Sequence, residues 1–106
     1  MQNRRVALIP AYQPNSGMAQ LVQEIKDTGF QIVVVDDGSS PEKEEVFRMA
    51  AKNAVILKHN ENRGKGRALK TGLDYIYSKF SADCVVVTVD AASFLMPLAL
   101  MQLCVP

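Results

Sequence analysis

Val6 to Ile9 is an unbroken apolar run closed by Pro10, and Gln31 to Val35 repeats the pattern up to Asp36. Runs this short and this uniformly apolar suit strands buried on both faces, because a strand with one wet face would alternate. Between them Met18, Leu21, Val22 and Ile25 fall at i, i+3, i+4 and i+7, with Ser16 as the expected cap and Gly29 as the stop. Ser40, Pro41 and the acids Glu42, Glu44 and Glu45 open a second helix, whose apolar side is Val46, Phe47 and Ala50. Ala54 to Leu57 reads as a third, shorter strand and His59 to Arg63 as a loop. Leu69, Leu73, Ile76 and Phe80 then mark a helix, and Val85 to Val89 a fourth strand ending on Asp90. Strand and helix alternate throughout. The fold expected is therefore α/β, a Rossmann-like parallel sheet of about four strands with helices on both faces.

That order has a functional consequence. Every strand-to-helix loop lies at the carboxyl edge of such a sheet, where ligands bind at the point at which strand order reverses. Pro10-Ala11-Tyr12, Asp36-Asp37, Asn60 to Lys65 and Asp90 should gather on one rim.

Within the rim, Asn62 to Leu73 needs a chemical explanation. Arg63, Lys65, Arg67 and Lys70 crowd the start of a helix, whose unpaired amides already carry partial positive charge. Each cation there costs about a few tenths of a kcal/mol, where a carboxylate would gain as much. The second helix, with its three early glutamates, shows the usual bias in the same chain. An anion should sit at the basic end, approached through Gly64 and Gly66. The spacing is not that of a P-loop; the alternative is a basic, solvated helix end.

The other rim residues each admit two readings. Asp36 and Asp37 could accept hydrogen bonds from a base or ribose, or cap the next helix and tie off a turn with Gly38. Tyr12 offers a stacking face and a hydroxyl, or a lid over the core. Asp90 could face a metal-bound diphosphate or cap a helix. His59 is the sole imidazole and is assigned no role.

Composition narrows the class. The 106 residues fit one small domain, and 48% are apolar, enough for a usable core. A net charge of +1 makes the basic cluster local and argues against nucleic acid as a partner. Cys84 and Cys104 match no metal or redox spacing and read as reduced thiols of a cytoplasmic protein. No stretch is long and apolar enough to cross a bilayer, so the expectation is a soluble chain or one peripheral to the inner face of a membrane.

Taken together, Ile9-Pro10-Ala11-Tyr12, Val33 to Ser39, Asn62 to Leu69 and Val86 to Ala91 resemble, in order and spacing, the family 2 glycosyltransferases. Among these the similarity is greatest to the polyprenyl-phosphate sugar synthases, of the dolichyl-phosphate mannose synthase kind. The resemblance covers Val6 to Ala91 and implies the nucleotide-binding half of a GT-A fold. It further implies inverting transfer from a nucleoside-diphosphate sugar to a lipid-phosphate acceptor at a membrane face, with Mg2+ or Mn2+ as cofactor. By that likeness Pro10, Ala11 and Tyr12 line the base and ribose. Asp37 hydrogen-bonds the base with Asp36 nearby, Lys65 or Arg67 meets the diphosphate, and Asp90 is the first metal-binding acid.

The sequence departs from the family after Ala91. The second acid of the Asp-Ala-Asp motif is replaced by Ala92, and no charged residue follows before Pro106. Residues 92–106 are therefore expected to be an apolar tail outside the family pattern, left by truncation or a reading-frame change, on a chain that binds donor better than it catalyses. The competing expectation is a short helix that covers the sheet or self-associates, making the chain a non-catalytic nucleotide-binding or assembly module. A sugar nucleotidyltransferase is a third class, but Pro10 to Pro14 is not the Gly-rich loop usual there.

Overall fold

The computed structural model describes residues 4–80, 84–90 and 101–105, the last of these as backbone. The strands are β1 (Arg4–Ala11), β2 (Gln31–Asp36), β3 (Val55–Lys58), β4 (Cys84–Thr88) and β5 (Met101–Val105). The helices are α1 (Met18–Asp27), α2 (Glu44–Ala50) and α3 (Lys65–Lys79), and a 3-10 turn, Pro41–Lys43, leads into α2.

The described strands form one sheet in the order β3-β2-β1-β4-β5. Four of them are parallel: Leu8 of β1 stands opposite Val33 of β2 and Thr88 of β4, and Val33 stands opposite Val55 of β3. The fifth is antiparallel, with Cys84 opposite Val105. The part of the tail that is described, 101–105, is thus a strand, which satisfies the outer backbone groups of β4 that would otherwise form a sheet edge. Residues 91–100, including Ala92, lie outside the described residues.

The apolar runs are continuous because both faces of the sheet are covered. Ala7, Ile9 and Ala11 of β1 pack with Met18, Val22 and Ile25 of α1 and Phe47 and Ala50 of α2. Val6 and Leu8, alternate residues of the same strand, face Ala68 and Ile76 of α3. The line of closest approach on α3 is Ala68, Gly72 and Ile76, all buried, with the larger Leu69 and Leu73 only partly buried beside them. Bulk misleads here: Leu8 occupies the space where a Cβ at Gly72 would lie, so the smallest residue marks the tightest contact.

Two helix starts also differ from expectation. The cap of α1 is Gly17, and its amide donates to Asn15 Oδ1 at 2.8 Å, so Asn15 shapes the turn instead of Ser16. Ser40 holds the capping position before Pro41, but its hydroxyl points at Glu42 and makes no bond to the helix backbone. The chain leaves α1 at Gly29, whose φ of 96° is the left-handed conformation expected of a stop.

The chain builds β1, β2 and β3 outward in one direction, then crosses by α3 to place β4 on the other side of β1. Strand order reverses between β1 and β4, so the crevice lies at the carboxyl ends of those two strands.

Candidate functional site

Hydrogen bonds that run past the strand ends fix the rim. The Asp37 amide donates to Ala11 O at 2.8 Å, the His59 amide to Asp36 O at 2.8 Å and the Val89 amide to Leu8 O at 3.0 Å. Each loop therefore leaves the sheet from a defined register.

Asp37 is the hub of this rim. It is 3% exposed. Its Oδ1 accepts from His59 Nδ1 at 2.8 Å and from the Arg63 amide at 2.9 Å; its Oδ2 accepts from the Gly64 amide at 3.0 Å and Asn62 Nδ2 at 3.2 Å. Two donors on each oxygen fill the acceptor capacity of a carboxylate. Burial pushes the Asp37 carboxyl up, but donation from the Arg63 amide, His59 and the Gly64 amide outweighs it and holds the group below the ordinary aspartate range. His59 in turn places Nε2 2.8 Å from Thr71 Oγ1, so one imidazole links β2, the loop after β3, and α3. When Nδ1 carries the proton toward Asp37, Nε2 accepts from the Thr71 hydroxyl.

The anion expected at the basic helix start is thus supplied in part by the chain itself. Gly64, with φ of 99°, caps α3, and its carbonyl accepts the first helical bond from the Ala68 amide at 3.0 Å. Asp37 takes the amides just before the helix. The amides of Lys65, Gly66 and Arg67, in its first turn, have no helical acceptor.

Asp36 turns the other way. Its Oδ1 accepts from the Ser39 amide at 2.9 Å, an Asx turn that carries the chain through Gly38. Gly38 has φ of 78°, and a Cβ there would overlap the backbone of Glu61 and Asn62. The two loops therefore touch main chain to main chain.

A cavity of about 510 Å3 opens between these loops, lined by Pro10 to Asn15, Asp37, Asn62, Gly64, Lys65 and Asp90. Tyr12 is 55% exposed over it. Gln13 is the one described non-glycine residue with positive φ, 52°, and it is pinned at both ends. Its amide donates to Ser39 Oγ at 2.8 Å and its Oε1 accepts from the Ser40 amide at 2.6 Å. Lys65 Nζ lies 3.7 Å from Asp90 Oδ2 in an exposed pair.

Of the residues expected at the site, Pro10, Ala11, Tyr12, Asp37, Lys65 and Asp90 come together around the cavity. Asp36 and Arg67 do not. Asp36 faces a separate hollow with Ser40, Phe47 and Lys58, because its carboxylate is tied into the turn. Arg67 lies on the far side of the loop with Lys58 and Arg63, two helix positions on from Lys65 and so about 200° around the axis. The expected contact of Asp37 with a base meets a carboxylate already engaged within the chain. A base edge reaching that carboxylate would have to displace the Asn62 amide. Gln13, Asn15, Asn62 and His59 were missed; a polar side chain within four residues of a strand end was the available signal.

The described carboxylates stand apart from one another. Among the described residues no group of three or more His, Cys, Asp or Glu side chains could hold an ion. Asp37 is saturated, and Asp90 is flanked by a lysine. Any Mg2+ or Mn2+ would draw most of its oxygens from ligand phosphates and water.

Comparison with known proteins fits this geometry. The model of the family described as Glycosyl transferase family 2 matches residues 6–103. Two uncharacterized proteins of Methanocaldococcus jannaschii are similar, one 26% identical over 77 residues and the other 33% identical over 67. The matches take in 69% and 62% of this chain but only 34% and 27% of those proteins, so it spans about a third of their length or less. Among solved structures, 4-diphosphocytidyl-2C-methyl-D-erythritol synthase superposes with a TM-score of 0.65 at 18% identity, covering 87% of this chain and 48% of that one. Residues 1–349 of S. aureus TarS superpose with a TM-score of 0.56 at 20% identity, covering 83% of this chain and 27% of that one. At such identities the likeness is one of fold.

Proposed function

Since the chain belongs to glycosyl transferase family 2, we propose that its cavity holds the nucleoside-diphosphate part of a sugar donor. The observation that carries this reading is the convergence of Tyr12, Lys65 and Asp90 on one cavity at the β1/β4 switch point. Tyr12 stacks on the base, and Pro10 and Ala11 form the wall beside it. Lys65 and the unpaired first-turn amides of α3 meet the diphosphate. Asp37 acts from behind: it seats the loop from which those donors project and contacts no ligand.

In inverting transfer, negative charge grows on the departing diphosphate as the glycosidic bond breaks, and fixed donors there stabilise the transition state more than the ground state. Lys65 and the amides are placed for that task. The lining carries one cation against two carboxylates, so affinity for the diphosphate is low and transfer by the 106-residue chain is near background. The four motifs that resemble polyprenyl-phosphate sugar synthases support a lipid-phosphate acceptor for the longer proteins of this kind. An acceptor that is already anionic needs less help from a base than a sugar hydroxyl does.

Titration with UDP, GDP and their sugar conjugates, with and without Mn2+, tests the proposal by calorimetry. Saturable binding that Lys65→Ala weakens more for diphosphates than for nucleosides is expected. Equal losses for both, or no binding by any nucleotide, would refute it.

A further inference from the structure

Lys58, Arg63 and Arg67 meet on the opposite side of the loop from the nucleotide cavity. With His59, Asn60 and Thr71 they line a second concavity of about 300 Å3. The three cations come from three places: the end of β3, the loop, and the first turn of α3. No acidic side chain lines the concavity. Among the described residues none of the three forms an ion pair, whereas Lys65 and Lys70 are matched by Asp90 and Asp74. The floor bears no carboxylate to oppose an anion: it is made by the Asn60 side chain, whose amide can donate, by the Thr71 hydroxyl, engaged with His59, and by the edge of the buried His59 ring. The Arg63 and Gly64 amides are spent on Asp37, so side chains make this site and the helix end does not.

Like charges gathered round a hollow repel one another and raise the local concentration of anions. Two guanidinium forks, at positions four apart in the chain, can each offer paired N–H groups to tetrahedral oxygens, which a carboxylate-free hollow leaves unopposed. We propose that this concavity is a second anion site, distinct from the nucleotide cavity, that takes a phosphate group. It explains why the basic stretch continues through Arg63 and Arg67, on the face that the donor does not reach.

The test follows the amide and imidazole resonances of the full 106-residue chain while inorganic phosphate or pyrophosphate is added. Saturable shifts at Thr71 and His59 are expected. They should survive Lys65→Gln, weaken about tenfold in Arg67→Gln, the scale of one charge-assisted hydrogen bond, and vanish in Arg63→Gln/Arg67→Gln. Raising the salt should weaken them, as both side chains are exposed. The unchanged remainder of the spectrum shows that each variant is folded. Phosphatidylcholine vesicles with and without phosphatidic acid separate the sources. Sedimentation that needs phosphatidic acid and is lost in the double variant assigns a lipid headgroup; shifts with free phosphate alone assign a soluble ester. Absence of saturable shifts and of sedimentation in the wild type overturns the proposal. So does binding undiminished in the double variant, or lost in Lys65→Gln instead.

Discussion

Replacing Gly38 by alanine tests whether the two rim loops are built as one unit. The left-handed φ of 78° costs a residue with a Cβ about 1 to 2 kcal/mol. The new methyl would also overlap the backbone of Glu61 and Asn62, which no change of rotamer relieves. That segment must move outward, and it carries the donors that hold Asp37: the Asn62 side chain and the amides of Arg63 and Gly64. Losing two of these bonds to an ionised acceptor, at about 1.5 kcal/mol each after water partly replaces them, adds about 3 kcal/mol. The total is about 4 to 5 kcal/mol, a large share of the roughly 5 to 15 kcal/mol available to a domain of this size. Urea unfolding followed by circular dichroism measures it as a fall in midpoint at unchanged slope. Gly66→Ala is the control: nothing lies within 4 Å of its would-be Cβ, and the position is helical. It should gain up to about 1 kcal/mol. If Gly38→Ala lies within about 1 kcal/mol of the wild type, the loops are not locked together and the account of the rim is wrong.

Three further outcomes follow from single contacts. Asp37 has a depressed folded pKa, so its contribution to stability is present above the unfolded value of about 3.9 and is lost as pH falls through the lower folded value. The stability gap between wild type and Asp37→Asn should be flat near neutrality and narrow below about pH 4; a gap that widens there would contradict this. Gly72→Ala should destabilise by about 1 kcal/mol, overpacking against buried Leu8 outweighing the gain in helix propensity. Leu8→Val should recover part of it in a double-mutant cycle, and strict additivity would place the two residues out of contact. Asp90→Asn removes an exposed carboxylate 3.7 Å from Lys65 and should tighten metal-free UDP binding a few-fold, the scale of one exposed ion pair; weaker binding would mean that the carboxylate helps hold the ligand.

The sheet was legible in sequence because apolar runs of four or five residues between helical periodicities have few other uses. Six of the eight expected site residues reach the cavity for the same reason: a residue's place just past a strand fixes its edge of the sheet. What sequence could not supply is which way a side chain turns once it is there. Asp36 and Asp37 are adjacent and alike, yet one closes an Asx turn and the other anchors a helix. His59 looked idle because its partners, Asp37 and Thr71, are 22 and 12 positions away. The close approach at Gly72 was invisible because packing is tightest where the side chain is missing.

In the basic stretch such choices decide which residues the proposed donor site can use. Lys65 and Arg67 are two residues apart on a helix and so point to different sides, and the loop held by Asp37 separates those sides physically. Within the cavity the balance of charge is one lysine against Asp37 and Asp90. Asp37 is ionised but turned onto four donors of its own chain, which leaves Lys65 and Asp90 to decide how the proposed site treats a diphosphate. An arriving phosphate must compete with Asp90 for Lys65, and it repels that carboxylate as it does so. Binding without a divalent ion is consequently weak and falls with salt, because the pair is exposed and screened. A divalent ion held in part by Asp90 would supply positive charge there and reverse the sign of this effect. Asp90→Asn separates the two cases: the variant binds UDP more tightly than wild type in chelator and gains less from added Mn2+.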